Sequence, residues 1–341
     1  MRARLLWGGL SSLAVLACES PNADPLIPVE PPNLAKGGNP AAFLLHSGLT
    51  AKGAEPVVLG DGFGFTEGPA VDQFGNIYFS DQPNDRIYRW DRSSGEITLF
   101  LEGTGRANGM AFDQDGFLIT ASDLDGTLRS YDMNGDFTVL VDNFEGNLLN
   151  GPNDLWIAPN GGIYFSDPLF VRDYWDAADP RRGGSQQGGE FYYYLSPDRQ
   201  TLTRVAGVVG ADGAWPNGLV GTPDGKKIYL GQMLPFPAQV YSYDINPDGT
   251  LSNQSLFVEI IRPNGDDGFL DGMTMDAQGN VYVAGGFDGV SVYDPAGDWI
   301  LHVPTGTWTA NVNFGGPDRK TLFITQSDKV WGLDMHVRGV K

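Results

Sequence analysis

The sequence has little cysteine, little histidine and few positive charges, and each shortage excludes a class of site. One cysteine among 341 residues allows neither an intramolecular disulfide nor a zinc cluster built on thiolates. Three histidines leave few ways to build a histidine metal site and give little support for a Ser–His–Asp triad. Asp and Glu total 42 against 22 Lys and Arg, a formal charge of −20, which disfavours binding to nucleic acid and to anionic lipid headgroups.

Long helical periodicity and the Gly-x-Ser-x-Gly nucleophile motif are also missing. The chain instead holds 47 glycines and 23 prolines. That supply of turn residues is typical of many short strands rather than of long helices. The sequence therefore predicts an all-β fold.

The first residues have the features of a bacterial export signal. Arg2 and Arg4 precede an apolar run from Leu5 to Ala17, which is too short to span a bilayer as a mature helix. The run ends in the letters VLAC, which resemble the lipobox, whose cysteine becomes the acylated first residue. We predict a lipoprotein signal peptide over residues 1–17 and a lipid on Cys18; the alternative is an ordinary secretory signal.

A proline-rich segment follows over residues 18–44. It holds six prolines and almost no apolar periodicity, so we expect a semi-extended tether between the membrane and the folded residues 45–341. Glu19 follows Cys18, rather than the Asp that retains many lipoproteins in the inner membrane. The sequence thus predicts a protein of the bacterial cell envelope, anchored by its lipid at the periplasmic face of the outer membrane.

One phrase recurs six times along the rest of the chain. Each copy has a polar residue, a short apolar strand, a turn and a second apolar strand. The polar residues, called here the opening residues, are Glu67, Asn108, Asn153, Asn217, Asp271 and Asn311. Their spacing of about 40–50 residues, longer in the third and fourth copies, is typical of a β-propeller with one four-stranded blade per repeat. We predict a six-bladed β-propeller in one domain over residues 45–341.

The ends of the chain indicate how the ring closes. After the sixth copy there is room for about one more strand, near Lys329–Met335. The missing outer strand of the last blade is therefore expected from the segment near Pro56–Gly60. Pairing the two ends would remove the open edge of the ring.

The opening residues predict a cation site. Each begins an innermost strand, so six side chains can converge on the channel axis, two with carboxylates and four with carboxamides. These hard oxygen donors favour Ca²⁺, with Mg²⁺ and Mn²⁺ next and Zn²⁺ a weaker substitute. Two carboxylates only neutralise a divalent ion, which leaves positions for water and substrate. The alternative is that these residues merely bond to nearby turns.

Several phrases resemble those of one enzyme family. They are FTEGPAV (65–71), GRANGMAFDQDG (105–116), GPNDLWI (151–157), WPNGLV (215–220), LDGMTMD (270–276) and FGGPDRKTLFIT (314–325). Together and in order they resemble the gluconolactonase/regucalcin (senescence marker protein)/luciferin-regenerating enzyme family over about residues 55–330. The resemblance implies a six-bladed propeller with a catalytic divalent cation, usually Ca²⁺, in its channel.

The resemblance also implies roles for individual residues. The family's metal ligands fall on Glu67, Asn153, Asn217 and Asp271. Asn108 and Asn311 match positions that line the cleft, and we expect them to contact either the substrate or the metal ligands. Gly151 stands where regucalcin-like members have an arginine; Arg106, two residues before Asn108, is a candidate replacement.

The function expected from this resemblance is a cation-dependent hydrolase that opens a sugar lactone or a similar lactone or ester. Asp271 is the first candidate for activating the attacking water and Glu67 is the alternative. Arg172 and Trp175, in the long loop between Leu169 and Gly189, are candidates for binding an oxygen-rich or anionic substrate, unless the loop is simply solvated surface. The alternative function is a non-catalytic, calcium-stabilised propeller that binds a carbohydrate or protein at the cell envelope. No obligate protein partner is expected.

Overall fold

The computed structural model describes residues 48–205, 215–287 and 289–340. The predicted signal peptide, the tether and Cys18 lie outside the described residues. Apart from two 3₁₀ helices, Gln82–Asn84 and Pro180–Gly183, the regular elements in these ranges are β-strands. None of these helices is long and apolar enough to cross a bilayer.

The described strands form six four-stranded antiparallel sheets, which are the blades of a propeller. The chain enters through β1 (Val57–Asp61). Blade 1 consists of β2 (Thr66–Val71), β3 (Ile77–Asp81), β4 (Arg86–Trp90) and β5 (Ile97–Glu102). Blade 2 consists of β6 (Ala107–Phe112), β7 (Leu118–Ser122), β8 (Thr127–Tyr131) and β9 (Phe137–Val141). A small hairpin follows, made of β10 (Asn143–Phe144) and β11 (Asn147–Leu148).

The remaining blades continue in the same order. Blade 3 consists of β12 (Leu155–Ile157), β13 (Ile163–Asp167), β14 (Phe191–Leu195) and β15 (Leu202–Arg204). Blade 4 consists of β16 (Pro216–Gly221), β17 (Lys227–Gln232), β18 (Gln239–Ile245) and β19 (Leu251–Glu259). Blade 5 consists of β20 (Met273–Met275), β21 (Val281–Ala284), β22 (Val290–Tyr293) and β23 (Trp299–Val303). Blade 6 holds β24 (Thr309–Gly315), β25 (Thr321–Gln326) and β26 (Lys329–Asp334). The six-bladed propeller predicted from the repeat is confirmed.

The ring closes as the sequence predicts, with the first and last described strands in one blade. β1 pairs antiparallel with β26 and supplies the outermost strand of blade 6, with Val58 opposite Trp331. Aromatic side chains fill the seam between blades 6 and 1, where Phe323 lies 5.6 Å from Phe79 and 5.5 Å from Trp90, measured between ring centroids. Such pairs add about 0.5–1.5 kcal/mol each beyond the burial of their area.

Burial falls from the axis outward because the inner strands are enclosed on both faces by neighbouring blades. β3, β7 and β13, the second strands of their blades, are buried along their whole length. The outermost strands β5 and β9 are mainly exposed or half-buried. Inner positions therefore bury most side chains, polar ones included, and this places the opening residues in a water-poor environment.

The innermost strands approach one another so closely that several positions have no room for a side chain. A glycine follows the opening residue in four of the six repeats, at Gly68, Gly109, Gly218 and Gly272. A Cβ atom on Gly109 would lie 2.5 Å from the Cα of Asp154, and one on Gly218 would lie 2.2 Å from the carbonyl oxygen of Asp271. These glycines let adjacent blades meet backbone to backbone beside the axis.

Gly218→Ala tests this close approach. The added methyl would clash with the backbone of Asp271, which cannot move aside like the end of a flexible side chain, so we expect the free energy of unfolding to fall by about 2 kcal/mol or more. Gly183→Ala is the matched control, because no atom lies within 4 Å of its Cβ position, and it should stay within about 0.5 kcal/mol of the parent. Urea unfolding followed by circular dichroism measures both; equal stability of the two variants would contradict the packing argument.

Candidate functional site

The six opening residues lie at one end of the channel, at or just before the starts of β2, β6, β12, β16, β20 and β24. All six are buried, with exposures between 2% and 6%. Asn153 and Asp271 precede their strands by two residues, because their carbonyl groups accept hydrogen bonds from the neighbouring blades at Gly109 (2.6 Å) and Gly218 (3.1 Å). The ring is thus built across the seams between blades.

Direct contacts join members of the ring. The Nδ2 of Asn311 donates to Oε2 of Glu67 at 3.2 Å, and the backbone N–H of Gly68 donates to the same oxygen at 2.8 Å. The indole N–H of Trp308 donates to Oδ2 of Asp271 at 2.8 Å. The two carboxylates expected to bind a cation are therefore each held in a defined orientation.

A third carboxylate, that of Asp154, also lies in this site and was not expected from the sequence. Its Oδ1 accepts from the N–H of Leu155 at 2.9 Å, and its Oδ2 accepts from Nδ2 of Asn311 at 3.3 Å. The sequence does contain a sign of this residue. Asp154 follows the opening residue of its repeat, a position that is glycine in four other repeats. A buried carboxylate at a position that is glycine in four of the other repeats indicates a function.

Burial and mutual repulsion raise the proton affinity of these carboxylates. Desolvation raises the pKa of Glu67 to about 7, against the lowering effects of the Gly68 and Asn311 hydrogen bonds and the Arg172 charge. Desolvation, with the negative charge of Glu67, raises the pKa of Asp154 to about 7. The same two causes raise the pKa of Asp271 well above its ordinary value. The site therefore holds more negative charge than its own residues neutralise.

Two amide oxygens in the ring lack partners. Oδ1 of Asn108 and Oδ1 of Asn217 are buried without a hydrogen bond. Leaving such an oxygen unsatisfied costs about 1–3 kcal/mol. A bound cation would relieve this cost at Asn217 and the repulsion between the carboxylates, while the Asn108 oxygen stays open to a substrate, so the donor set fits a hard divalent ion such as Ca²⁺.

The ligand set that fits combines carboxylates with amides. Residues 48–205, 215–287 and 289–340 hold no group of three or more His, Cys, Asp or Glu side chains arranged to bind one ion. Glu67 and Asp271, with the amide oxygens of Asn153 and Asn217, remain the candidate ligands. Asp154 is then a neighbouring charge rather than a ligand.

The long connection between β13 and β14 contributes Arg172 and Trp175, and both contact Asp123. Nε of Arg172 lies 2.7 Å from Oδ2 of Asp123, and the indole N–H of Trp175 donates to Oδ1 at 3.0 Å. Trp175 is only 3% exposed, with the guanidinium of Arg181 over its ring. Asp123 could not be found from the repeat, because its partners come from another blade.

Arg106 lies on the same side of the entrance. Its Nη1 donates to the backbone carbonyls of Gln82 and Pro83, and its guanidinium lies 4.5 Å from the ring centroid of Tyr174. The charge of Arg172 reaches Glu67, whose pKa it lowers. The structure therefore brings the six opening residues together, with Arg172 close to Glu67. Trp175 is buried against Asp123, where it helps to fix the connection between β13 and β14.

The fold and the site together define a class: a six-bladed β-propeller with a centre of buried oxygen donors at one end of its channel. The chain belongs to the SMP-30/gluconolactonase/LRE-like family, whose model matches residues 65–328.

Known proteins that the chain resembles include two gluconolactonases. It is 28% identical over 286 residues to the gluconolactonase of Zymomonas mobilis, covering 78% of this chain and 77% of that protein. The structure of a gluconolactonase from Xanthomonas campestris superposes with a TM-score of 0.74 at 28% identity, covering 85% of this chain and 91% of that one. Regucalcin from Agrobacterium tumefaciens, described as a calcium-binding protein, shares the fold with a TM-score of 0.65 at 21% identity over 83% of this chain and 94% of that one.

The cation-free protein should lose stability as the pH rises from about 4.5 to 7. Glu67 and Asp154 have a higher pKa folded than unfolded, so the folded state binds more protons in this window and is destabilised as they leave. Asp154→Asn removes one of these groups, and we expect a shallower fall of Tm with pH in the presence of chelator. Scanning calorimetry at several pH values measures the slope.

Asp132→Asn is the matched control for this experiment. Hydrogen bonds from Asn134 and Asp136 lower the pKa of this exposed carboxyl, so it does not titrate in the window and the slope should stay as in the parent. An Asp154→Asn protein whose slope equals that of the parent would contradict the assignment of Asp154 as a buried charge.

Proposed function

We propose that this protein is a divalent-cation-dependent hydrolase, gluconolactonase-like, that opens a sugar lactone or a similar lactone or ester, with Ca²⁺ as its cation. The observation that carries the proposal is the buried ring, where repelling carboxylates surround amide oxygens without partners. Membership of the SMP-30/gluconolactonase/LRE-like family and likeness to two gluconolactonases support it.

Four side chains would hold the cation: Glu67, Asn153, Asn217 and Asp271. When bound, the ion supplies positive charge that stabilises the negative charge developing on the carbonyl oxygen as water attacks. The amide nitrogen of Asn311 donates to both Glu67 and Asp154, and this bridge fixes the two carboxylates beside each other. The ring is thus organised before a substrate arrives.

Asp271 is the residue proposed to take a proton from the attacking water. The Trp308 indole N–H fixes one of its oxygens, so the carboxylate cannot rotate freely. A carboxylate is the strongest base among the side chains of the ring. Glu67, held by Gly68 and Asn311, is the alternative base.

The remaining polar residues of the site are proposed to bind the substrate. Asn108 has a buried amide oxygen without a partner in the ring. Arg172 and Arg106 supply positive charge on one side of the entrance, which would favour an oxygen-rich ligand.

Asp271→Asn should lower the rate of lactone opening by about 100-fold or more, because the amide cannot accept the proton. Proton release from glucono-δ-lactone, corrected for spontaneous opening, measures the rate with Ca²⁺ and with chelator. The parent should be active only with the cation. Asp294→Asn is the matched control, since Asp294 only caps a turn through the N–H groups of Ala296 and Asp298. Absence of turnover on a panel of aldonolactones and an aryl ester by the folded, cation-loaded parent would favour the non-catalytic binding propeller.

We also propose that the protein is anchored to the cell envelope through a lipid on Cys18. The support is the lipobox-like VLAC ending of an apolar run, followed by a proline-rich segment ahead of the propeller.

Cys18→Ser should abolish this anchor. In a bacterial host fed an alkyne fatty acid, the parent should carry the label and fractionate with membranes. Cys18 is the only cysteine in the chain, so a label that depends on cysteine is assigned to this residue. The variant should be unlabelled. Recovery of the unlabelled parent in the soluble periplasmic fraction would instead indicate an ordinary secretory signal.

A further inference from the structure

Four aromatic side chains form a continuous surface beside the candidate catalytic carboxylate. This surface, called here the aromatic wall, consists of Phe236, Phe269, Phe287 and Trp308. Phe269 is its centre, with ring centroids 4.7 Å from Phe236, 5.6 Å from Trp308 and 6.1 Å from Phe287. Phe287 and Trp308 lie 4.9 Å apart at right angles.

The wall is continuous with the candidate site. Trp308 donates its indole N–H to Asp271 at 2.8 Å, and Phe269 lies two residues before Asp271 in the chain. The wall residues come from connections at the end of the propeller where the innermost strands of blades 5 and 6 begin. A ligand that reaches Asp271 from this end therefore passes beside the wall.

Part of the wall is open to solvent. Phe236 is 38% exposed and Phe287 is 46% exposed, although both have aromatic neighbours. Apolar surface left exposed beside a polar site is typical of a binding surface, because covering it with an apolar ligand group releases water.

The two halves of the entrance differ in chemistry. Blades 1 to 3 contribute charged or polar residues: Arg172 donates a hydrogen bond to Asp123, and the guanidinium of Arg106 lies over the ring of Tyr174. Blades 4 to 6 contribute the aromatic wall. A substrate seated over the ring would therefore meet charge on one side and aromatic rings on the other.

The wall cannot satisfy the hydroxyl groups of a sugar. Three of its members have no polar atom, and the single N–H, that of Trp308, is already donated to Asp271. Gln326 lies nearby, opposite Thr309, but its amide is committed to the Thr305 carbonyl and to the Trp331 indole. Hydroxyl groups placed against the wall would lose hydrogen bonds to water without replacement, whereas an alkyl or aryl group would lose none.

We infer that the aromatic wall binds an apolar alkyl or aryl substituent of the substrate, an inference that rests on the proposed lactonase function. Preferred substrates are then amphiphilic lactones, with the ring carbonyl over the opening residues and the apolar substituent against Phe236 and Phe287. Fully hydroxylated sugar lactones are the poorer class.

Three lactones test this inference on the purified full chain with Ca²⁺: δ-valerolactone, δ-nonalactone, which adds a butyl group to the same ring, and glucono-δ-lactone. We expect kcat/KM for δ-nonalactone to exceed that for δ-valerolactone by about tenfold or more, since each buried methylene contributes to discrimination. Phe287→Ala should reduce this ratio severalfold, and Phe236→Ala should do the same. Phe74→Ala, which removes a 69% exposed phenylalanine from the turn between β2 and β3, should leave the ratio unchanged.

The outcomes separate the inference from the proposed function. If the parent hydrolyses δ-nonalactone and δ-valerolactone with equal kcat/KM, the aromatic wall is not a substrate site, although the lactonase function stands. The same conclusion follows if Phe287→Ala keeps the parental Tm and the parental ratio of the two kcat/KM values. A parent that prefers glucono-δ-lactone to δ-nonalactone would also overturn the inference. No turnover of any of the three lactones would overturn the proposed function and the inference with it.

Discussion

Repulsion among buried carboxylates at one end of the channel is the interaction on which the rest of this structure depends. Glu67, Asp154 and Asp271 are all buried, and desolvation raises the pKa of each. A protein that concentrates charge of one sign in a water-poor site is destabilised there unless a partner of opposite charge arrives. The donors are oxygens throughout, so the partner that fits is a hard cation, and the same charge that would stabilise the fold is suited to polarising a carbonyl.

The propeller makes this concentration of charge possible by bringing backbones together at the axis. Glycine after the opening residue lets neighbouring innermost strands meet, with Gly109 donating to the Asn153 carbonyl and Gly218 to the Asp271 carbonyl. These bonds use backbone groups only, so the side chains of the ring remain available for the channel. Asp154 replaces the glycine in blade 3 and adds a carboxylate at the point of closest approach.

The connections at the entrance differ between its two sides. On one side Asp123 gathers Arg172 and Trp175, which fixes the long loop of blade 3 over the channel. On the other side Trp308 joins the aromatic wall to Asp271, so one residue contacts both the proposed base and the apolar surface. These connections can vary in length and composition without moving the blades themselves.

The repeat in the sequence determined the six blades and the opening residues, because each opening residue recurs at a constant offset from the same turn and strand pattern. The closing strand β1 followed from the room for only one more strand after the sixth copy. Local periodicity therefore places Glu67 and Asp271 at equivalent heights in the ring without reference to the rest of the chain. Asp154, Asp123 and the aromatic wall could not be assigned in this way. Asp154 breaks the repeat instead of following it, and its significance depends on how close Glu67 and Asn311 lie. Asp123 and Phe269 acquire their partners from loops of other blades, and those loops differ in length and composition. Only the closing of the ring decides which of these residues meet, since the distance between two loops around an axis is set by the packing of whole blades and not by any local pattern of residues.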